Sequence, residues 1–198
     1  MYYVVGLGNP GAEYKQTRHN VGWLALDALI QVLSLPMPTA AARYGGHISE
    51  GTVAGESLVL LYPDTFMNHS GSAVRKLVPK NEMSRLIVLY DDVAIPLGEI
   101  KVSFGRGAGG HNGVASVIAS LATRDFIRIR IGVAKTGFWP WEQGVAKRPK
   151  GGDALLKHVL GQFTRREDVA LTKGLSAATD AVKLILQSGY VAAMNQYN

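Results

Sequence analysis

The chain has 198 residues, a formal charge of +6 and no cysteine. A chain of this length buries a sizeable core unaided, so residues 1–198 are expected to form a single domain without a disulfide or metal staple. The lack of cysteine excludes a disulfide framework, cysteine–zinc sites, iron–sulfur clusters and a thiol nucleophile, and it agrees with a reducing compartment.

Tyr2–Leu7 is an apolar, β-rich run ended by glycines and predicts a buried strand. Val21, Leu24, Ala25, Ala28, Leu29, Val32 and Leu33 recur at helical spacing, which predicts an amphipathic helix over Asn20–Leu33, stopped by Pro36 and Pro38. His47–Val53 and Ser57–Tyr62 flank Ala54-Gly55 and predict a hairpin. A helix is expected over Phe66–Val78, ending before Pro79. Leu86–Tyr90 and Ile100–Phe104 predict strands, Gly113–Leu121 a helix, Phe126–Val133 a strand, and Leu155–Leu160 a short helix. Val169–Ser188 predicts a last helix with Gly189 as its C-cap. Helices interleaved with apolar strands define an α/β fold. The hairpin makes its twisted central sheet mixed, with the α-helices around it.

The charge is concentrated. Residues 101–166 carry twelve Lys/Arg against three Asp/Glu, whereas residues 1–100 carry seven against nine. Such a block is either a solvated basic face or the footprint of a polyanion, and nucleic acid is the leading candidate. Lys101 and Arg106 flank the strand before a glycine-rich loop and are candidate phosphate contacts. Arg128 and Arg130 share one face of a strand and are expected to turn toward a neighbouring helix. No segment reaches the ~18 apolar residues of a membrane span, and the N-terminus lacks the basic and apolar regions of a signal peptide. A cytoplasmic protein is expected.

Gly6-Leu-Gly8-Asn-Pro-Gly11 matches a dinucleotide fingerprint in letters but not in context. There a helix opens within the glycines and holds a pyrophosphate; here Ala12–His19 is polar and has no helical stripe. The alternative is a tight strand-to-loop bend that displays Asn9 and leads to Tyr14, Arg18 and His19. Asp91-Asp92, after the strand Leu86–Tyr90, is either an ordinary loop start or a buried acid that holds an imidazole in one tautomer. Asn68 and Asn112 stand near helix starts, where the choice is between an N-cap and an amide directed at substrate. One His, one Asp and several Asn amides suffice for a water-activating base with neutral donors to a carbonyl. The sequence has no Gly-x-Ser-x-Gly elbow, Walker motif or His-x-x-x-His spacing.

Four stretches resemble the signatures of bacterial-type peptidyl-tRNA hydrolases, in order and over nearly the whole chain. They are Gly6–Gly11 with Tyr14 and Thr17–Gly22, Pro63–Gly71, Asp91–Gly98, and Gly107–Gly113, followed by the strand Phe126–Gly132. The resemblance implies hydrolysis of the ester between a peptide and the 3′ ribose of tRNA, by a monomer with no cofactor and no metal. It implies His19 as base, Asp91 as its orienting acid, and Asn9 as the residue that discriminates blocked from free aminoacyl groups. It places Tyr14, Phe66, Asn68 and Asn112 on the substrate. A non-catalytic RNA-splicing cofactor of the same fold is the alternative. Tyr90 stands where many members carry His, and residues 138–150 are longer and more aromatic than usual. The prolines and Gly144 of that stretch favour a mobile lid over a packed loop.

Overall fold

The computed structural model describes residues 1–135 and 152–198. Its strands are β1 (Tyr2–Gly6), β2 (Thr39–Ala41), β3 (Gly46–Val53), β4 (Glu56–Pro63), β5 (Leu86–Pro96), β6 (Ile100–Phe104) and β7 (Ile127–Ala134). Its helices are α1 (Val21–Leu33), α2 (Ser70–Leu77), α3 (Asn112–Leu121), α4 (Gly152–Val159) and α5 (Asp168–Tyr197). The strands form one mixed sheet in the order β2-β3-β4-β1-β5-β7-β6. β4, β1, β5 and β7 run parallel, while β2–β3, β3–β4 and β7–β6 pair antiparallel.

Alternation along the strands divides the core between the two faces of the sheet. Val4, Ile87 and Leu89 join Leu26, Leu29, Ala181 and Ile185 of α1 and α5. Tyr3, Val5, Leu86 and Val88 join Val74, Leu77, Val114 and Val117 of α2 and α3.

Several elements depart from the pattern-based expectation. The segment expected as one helix over Phe66–Val78 is a 3-10 turn, Met67–His69, followed by α2. β5 does not stop at Tyr90: β7 keeps pairing with it through Asp91 and Asp92, and the register shifts before Pro96. Gly189 kinks α5 instead of ending it, with φ 82° and ψ 166°. The chain resumes its helix because Tyr190 stacks on Phe104 at 4.7 Å and Asn198 brackets the N–H and C=O of Val102. The short edge strand β2 carries no alternation that would have marked it.

Two glycines of the opening motif serve a crossing of α1 over β1. A Cβ on Gly6 would stand 2.4 Å from the Gly22 carbonyl oxygen. One on Gly22 would stand 2.5 Å from the Leu89 oxygen and 2.6 Å from the Leu7 nitrogen. All of these neighbours are backbone and cannot rotate away. Gly22→Ala is therefore expected to destabilise the protein by about 2–3 kcal/mol, at the upper end of overpacking costs. Urea denaturation measures this as a lower midpoint; an unchanged midpoint contradicts the crossing argument.

Candidate active site

β1 has β4 on one side and β5 on the other, so the crevice beyond their carboxyl ends is a topological switch point. Three loops and one strand extension deliver side chains there. The loop after β1 carries Asn9 and ends in a 3-10 turn, Arg18–Asn20, with His19 at its centre. The loop after β4 carries Phe66, Met67 and Asn68, and the loop after β6 carries His111 and Asn112. β1 ends at Gly6 while β5 runs on, so Asp91 projects past its neighbour into the space filled by the His19 turn.

Asp91 is buried, and its Oδ1 accepts two hydrogen bonds, from His19 Nδ1 at 2.8 Å and from His111 Nε2 at 3.0 Å. The hydrogen-bond partners fix both tautomers. His111 is the N-cap of α3, and its Nδ1 accepts the Val114 N–H at 3.2 Å. In the neutral ring the hydrogen must then sit on Nε2, toward Asp91. A carboxylate only accepts, so His19 donates from Nδ1 and keeps the Nε2 lone pair of its neutral form. Burial alone would raise the Asp91 pKa, but the two imidazoles outweigh it and hold the carboxyl well below the usual range. Burial alone would lower the His19 pKa, but the charge and hydrogen bond of Asp91 leave it raised.

The ligating atoms of His19, Asp91 and His111 all lie within 4.8 Å of one another, a spacing that metal ligands also show. The tautomers speak for hydrogen bonding, because His111 Nε2 carries hydrogen and has no lone pair to offer an ion. The trio opens on a cleft of about 220 Å³, lined also by Tyr90 and Asn112 and faced by Val93, Leu155, Leu156 and Val159.

Asn9 is held from three sides. Asn20, fully buried, accepts the Asn9 N–H at 2.9 Å and donates to the Asn9 carbonyl at 2.9 Å. The Met67 N–H donates to Asn9 Oδ1 at 2.8 Å. That bond settles which end of the amide is oxygen and leaves Nδ2 as a donor unused among the described residues. Asn68 is exposed, and Asn112 is the exposed first residue of α3. Neither caps a helix, since His111 caps α3 and no side chain caps Met67–His69 or α2. Phe66 is exposed and Tyr14 half-buried.

The structure thus brings His19, Asp91 and Asn112 to one cleft and ties Asn9 to the loop of Phe66 and Asn68. Tyr14, Phe66, Asn68 and Asn9 lie outside the cleft's lining. Asp92 also lines the cleft, but its carboxylate is engaged away from His19: Oδ1 accepts the Ala94 N–H and Oδ2 accepts Arg130 Nε, each at 2.8 Å.

His111 and Asn20 are functional residues that the sequence pattern does not mark. The only signals were a histidine inside a glycine-rich helix start and an asparagine next to the candidate base.

The basic residues divide. Arg106 is exposed and lines an adjoining crevice with Tyr90, Asp92, Ser103 and Arg130. Lys101 is exposed on β6, in register with Arg130, but lines neither crevice. Arg128 turns inward, toward loop carbonyls and not a helix. It is fully buried, donates to the carbonyls of Gly107 at 3.2 Å and Arg124 at 3.4 Å, and lies over the Phe126 ring. It is closed to phosphate and braces the loop that leads to His111. Lys147, Arg148, Lys150 and the proposed lid over 138–150 lie outside the described residues.

An imidazole with an open nitrogen, a buried carboxylate behind it and amides nearby make an arrangement that can set water against an ester. The comparisons agree with that class of chemistry. A family model described as peptidyl-tRNA hydrolase matches residues 3–198. A peptidyl-tRNA hydrolase of Halalkalibacterium halodurans is 38% identical over 200 positions, spanning 100% of both chains. One from Synechococcus sp. (strain JA-3-3Ab) is 40% identical, spanning 98% of this chain and 81% of the other. The crystal structure of the peptidyl-tRNA hydrolase from Acinetobacter baumannii matches with a TM-score of 0.86 at 30% identity, over 100% of this chain and 94% of that one. The chain belongs to the peptidyl-tRNA hydrolase family, a family of hydrolases.

Proposed function

We propose that this protein cleaves the ester between the carboxyl end of a peptide and the 3′-terminal ribose of tRNA, with His19 as general base. The observation that carries the reading is the 2.8 Å bond from His19 Nδ1 to buried Asp91, which leaves Nε2 for a water. Nε2 takes a proton as the water oxygen attacks the ester carbonyl. The imidazolium, stabilised by Asp91, then returns that proton to the departing ribose oxygen. The Asn9 Nδ2 and the exposed amides of Asn68 and Asn112 are the donors for the developing oxyanion and the peptide carbonyls. A well-placed donor of this kind is worth about 3–4 kcal/mol. Tyr14 and Phe66 supply further substrate contact. Under this reading the whole chain acts as one domain, a cytoplasmic monomer that needs neither metal nor organic cofactor.

Incubating the purified protein with peptidyl-tRNA and separating free peptide from tRNA tests the proposal. Release of both products supports it. Inert protein that still binds RNA reverses it in favour of a binding module.

Lys101 and Arg106 are assigned to tRNA phosphates. The double variant Lys101→Ala, Arg106→Ala is expected to raise KM for peptidyl-tRNA and reduce the salt slope of binding by up to about two. Cleavage of a minimal N-blocked aminoacyl ester, which lacks the tRNA body, stays near wild type. Equal loss on both substrates, or an unaltered salt slope, removes these residues from the groove and leaves the hydrolase reading in place.

A further inference from the structure

Arg18 directly precedes the base, and its side chain turns to another part of the chain. It is 4% exposed. Nη1 donates to the carbonyls of Gly161 at 3.1 Å and Gln162 at 2.9 Å. Nη2 meets both carboxylate oxygens of Glu167 at 2.8 Å, and the guanidinium lies over the Phe163 ring. The backbone repeats the attachment. Arg18 N–H donates to the Gly161 carbonyl at 3.0 Å, and Thr17 forms an isolated bridge with Gln162. Glu167 is itself anchored by the Thr164 N–H and hydroxyl, at 2.7 and 2.8 Å.

The clasped segment, Gly161–Glu167, is the stretch that leaves α4. Leu155, Leu156 and Val159 of α4 line the same cleft as the Asp91 trio and give it an apolar wall. Among the described residues the helix is also tied where a ring N–H of His158 donates to the Val133 carbonyl at 2.9 Å. The two sides of the cleft come from distant parts of the chain, and Arg18 joins them.

A buried ion pair is a poor source of stability, because desolvation offsets much of the attraction and an apolar replacement often does as well. What the planar fork supplies is geometry: several directed bonds from one rigid group, which an ammonium cannot reproduce. Misplacing a catalytic group by about 1 Å can cost ~100-fold in rate.

We propose that Arg18 is a positioning residue that locks the turn bearing His19 to the α4 wall, so that base and wall keep one spacing across the cleft. The proposal rests on the hydrolase reading above.

Two conservative variants test it. Arg18→Lys keeps the charge and loses the fork; Glu167→Gln keeps the shape and one acceptor. Each is expected to lower kcat about tenfold to a hundredfold on both peptidyl-tRNA and the minimal ester, with the salt slope unchanged. The double variant is expected to be little worse than either single one, since both break the same clasp. The second readout needs no turnover. Nitrogen NMR of His19, whose charged and titratable neighbours are Asp91 and His111, is expected to show its pKa in Arg18→Lys falling back toward the ordinary value as the bond to Asp91 loosens. Arg18 itself is faced by Glu167 and His158. Wild-type kcat with a wild-type His19 titration in both variants overturns the proposal. So does a loss of activity matched by the fraction unfolded at the assay temperature. A wild-type protein inert on both substrates defeats the hydrolase reading, and the NMR titration then decides the role of Arg18 alone.

Discussion

His19→Ala lowers kcat for peptidyl-tRNA at least ~100-fold, the lower range for loss of a general base, while tRNA binding and the thermal midpoint stay close to wild type. Binding persists because the basic residues Lys101 and Arg106 lie on and just beyond β6, apart from the His19 turn. The fold persists because the ring belongs to neither core cluster and lines the cleft, where water can replace its N–H on Asp91. The minimal ester suffers the same loss, since the ring serves the chemical step and not the grip on tRNA. Single-turnover cleavage is the measurement, and near-wild-type turnover would remove His19 from the mechanism.

Asp91→Asn is expected to cost at least ~100-fold in kcat as well, and to move the pH profile. The base works only when neutral, so kcat/KM rises with pH through the His19 pKa. Burial pulls that pKa down, but the Asp91 charge and hydrogen bond raise it, so the acid limb of wild type lies above the ordinary imidazole value of about 6.5. The amide removes the charge and leaves the burial. The acid limb therefore shifts to lower pH even as the plateau drops. Asp92→Asn loses its bond to Arg130 and leaves His19 untouched, so its rate falls less and its acid limb stays in place. A larger loss from Asp92→Asn, or an acid limb that does not move in Asp91→Asn, would remove Asp91 as the carboxylate that supports the base.

Much of this layout is written in short-range pattern. The period of α1, the alternating and apolar strands, and the hairpin at Ala54-Gly55 each depend on residues a few positions apart, because local burial imposes local spacing. The feature that excludes a dinucleotide site is also local: the stretch after Gly11 has no helical stripe. The loops that carry Asn9, His19, Asn68 and Asn112 could be marked for the same reason, since each interrupts a periodic run.

Convergence of those loops is a different matter. It follows from β1 lying between β4 and β5, and strand order is set by long-range packing that no window of sequence contains. The same holds for the end of β5. Nothing in Leu86–Tyr90 states that β7 goes on pairing past Tyr90, yet that pairing carries Asp91 beyond β1 and under the His19 turn. Gly189 reads as a helix stop, and only contacts with Phe104 and Val102 make the chain resume its helix. Arg128 and Arg130 are two residues apart on one strand, but one is sealed against carbonyls and the other is paired with Asp92. Whether a charged side chain meets solvent depends on which loop folds over it. His111 is the plainest case. Its letter sits in a glycine-rich run that suggests only a helix start, and its hydrogen bond to Asp91 exists because α3 begins beside β5, with the Val114 N–H fixing which nitrogen carries the proton.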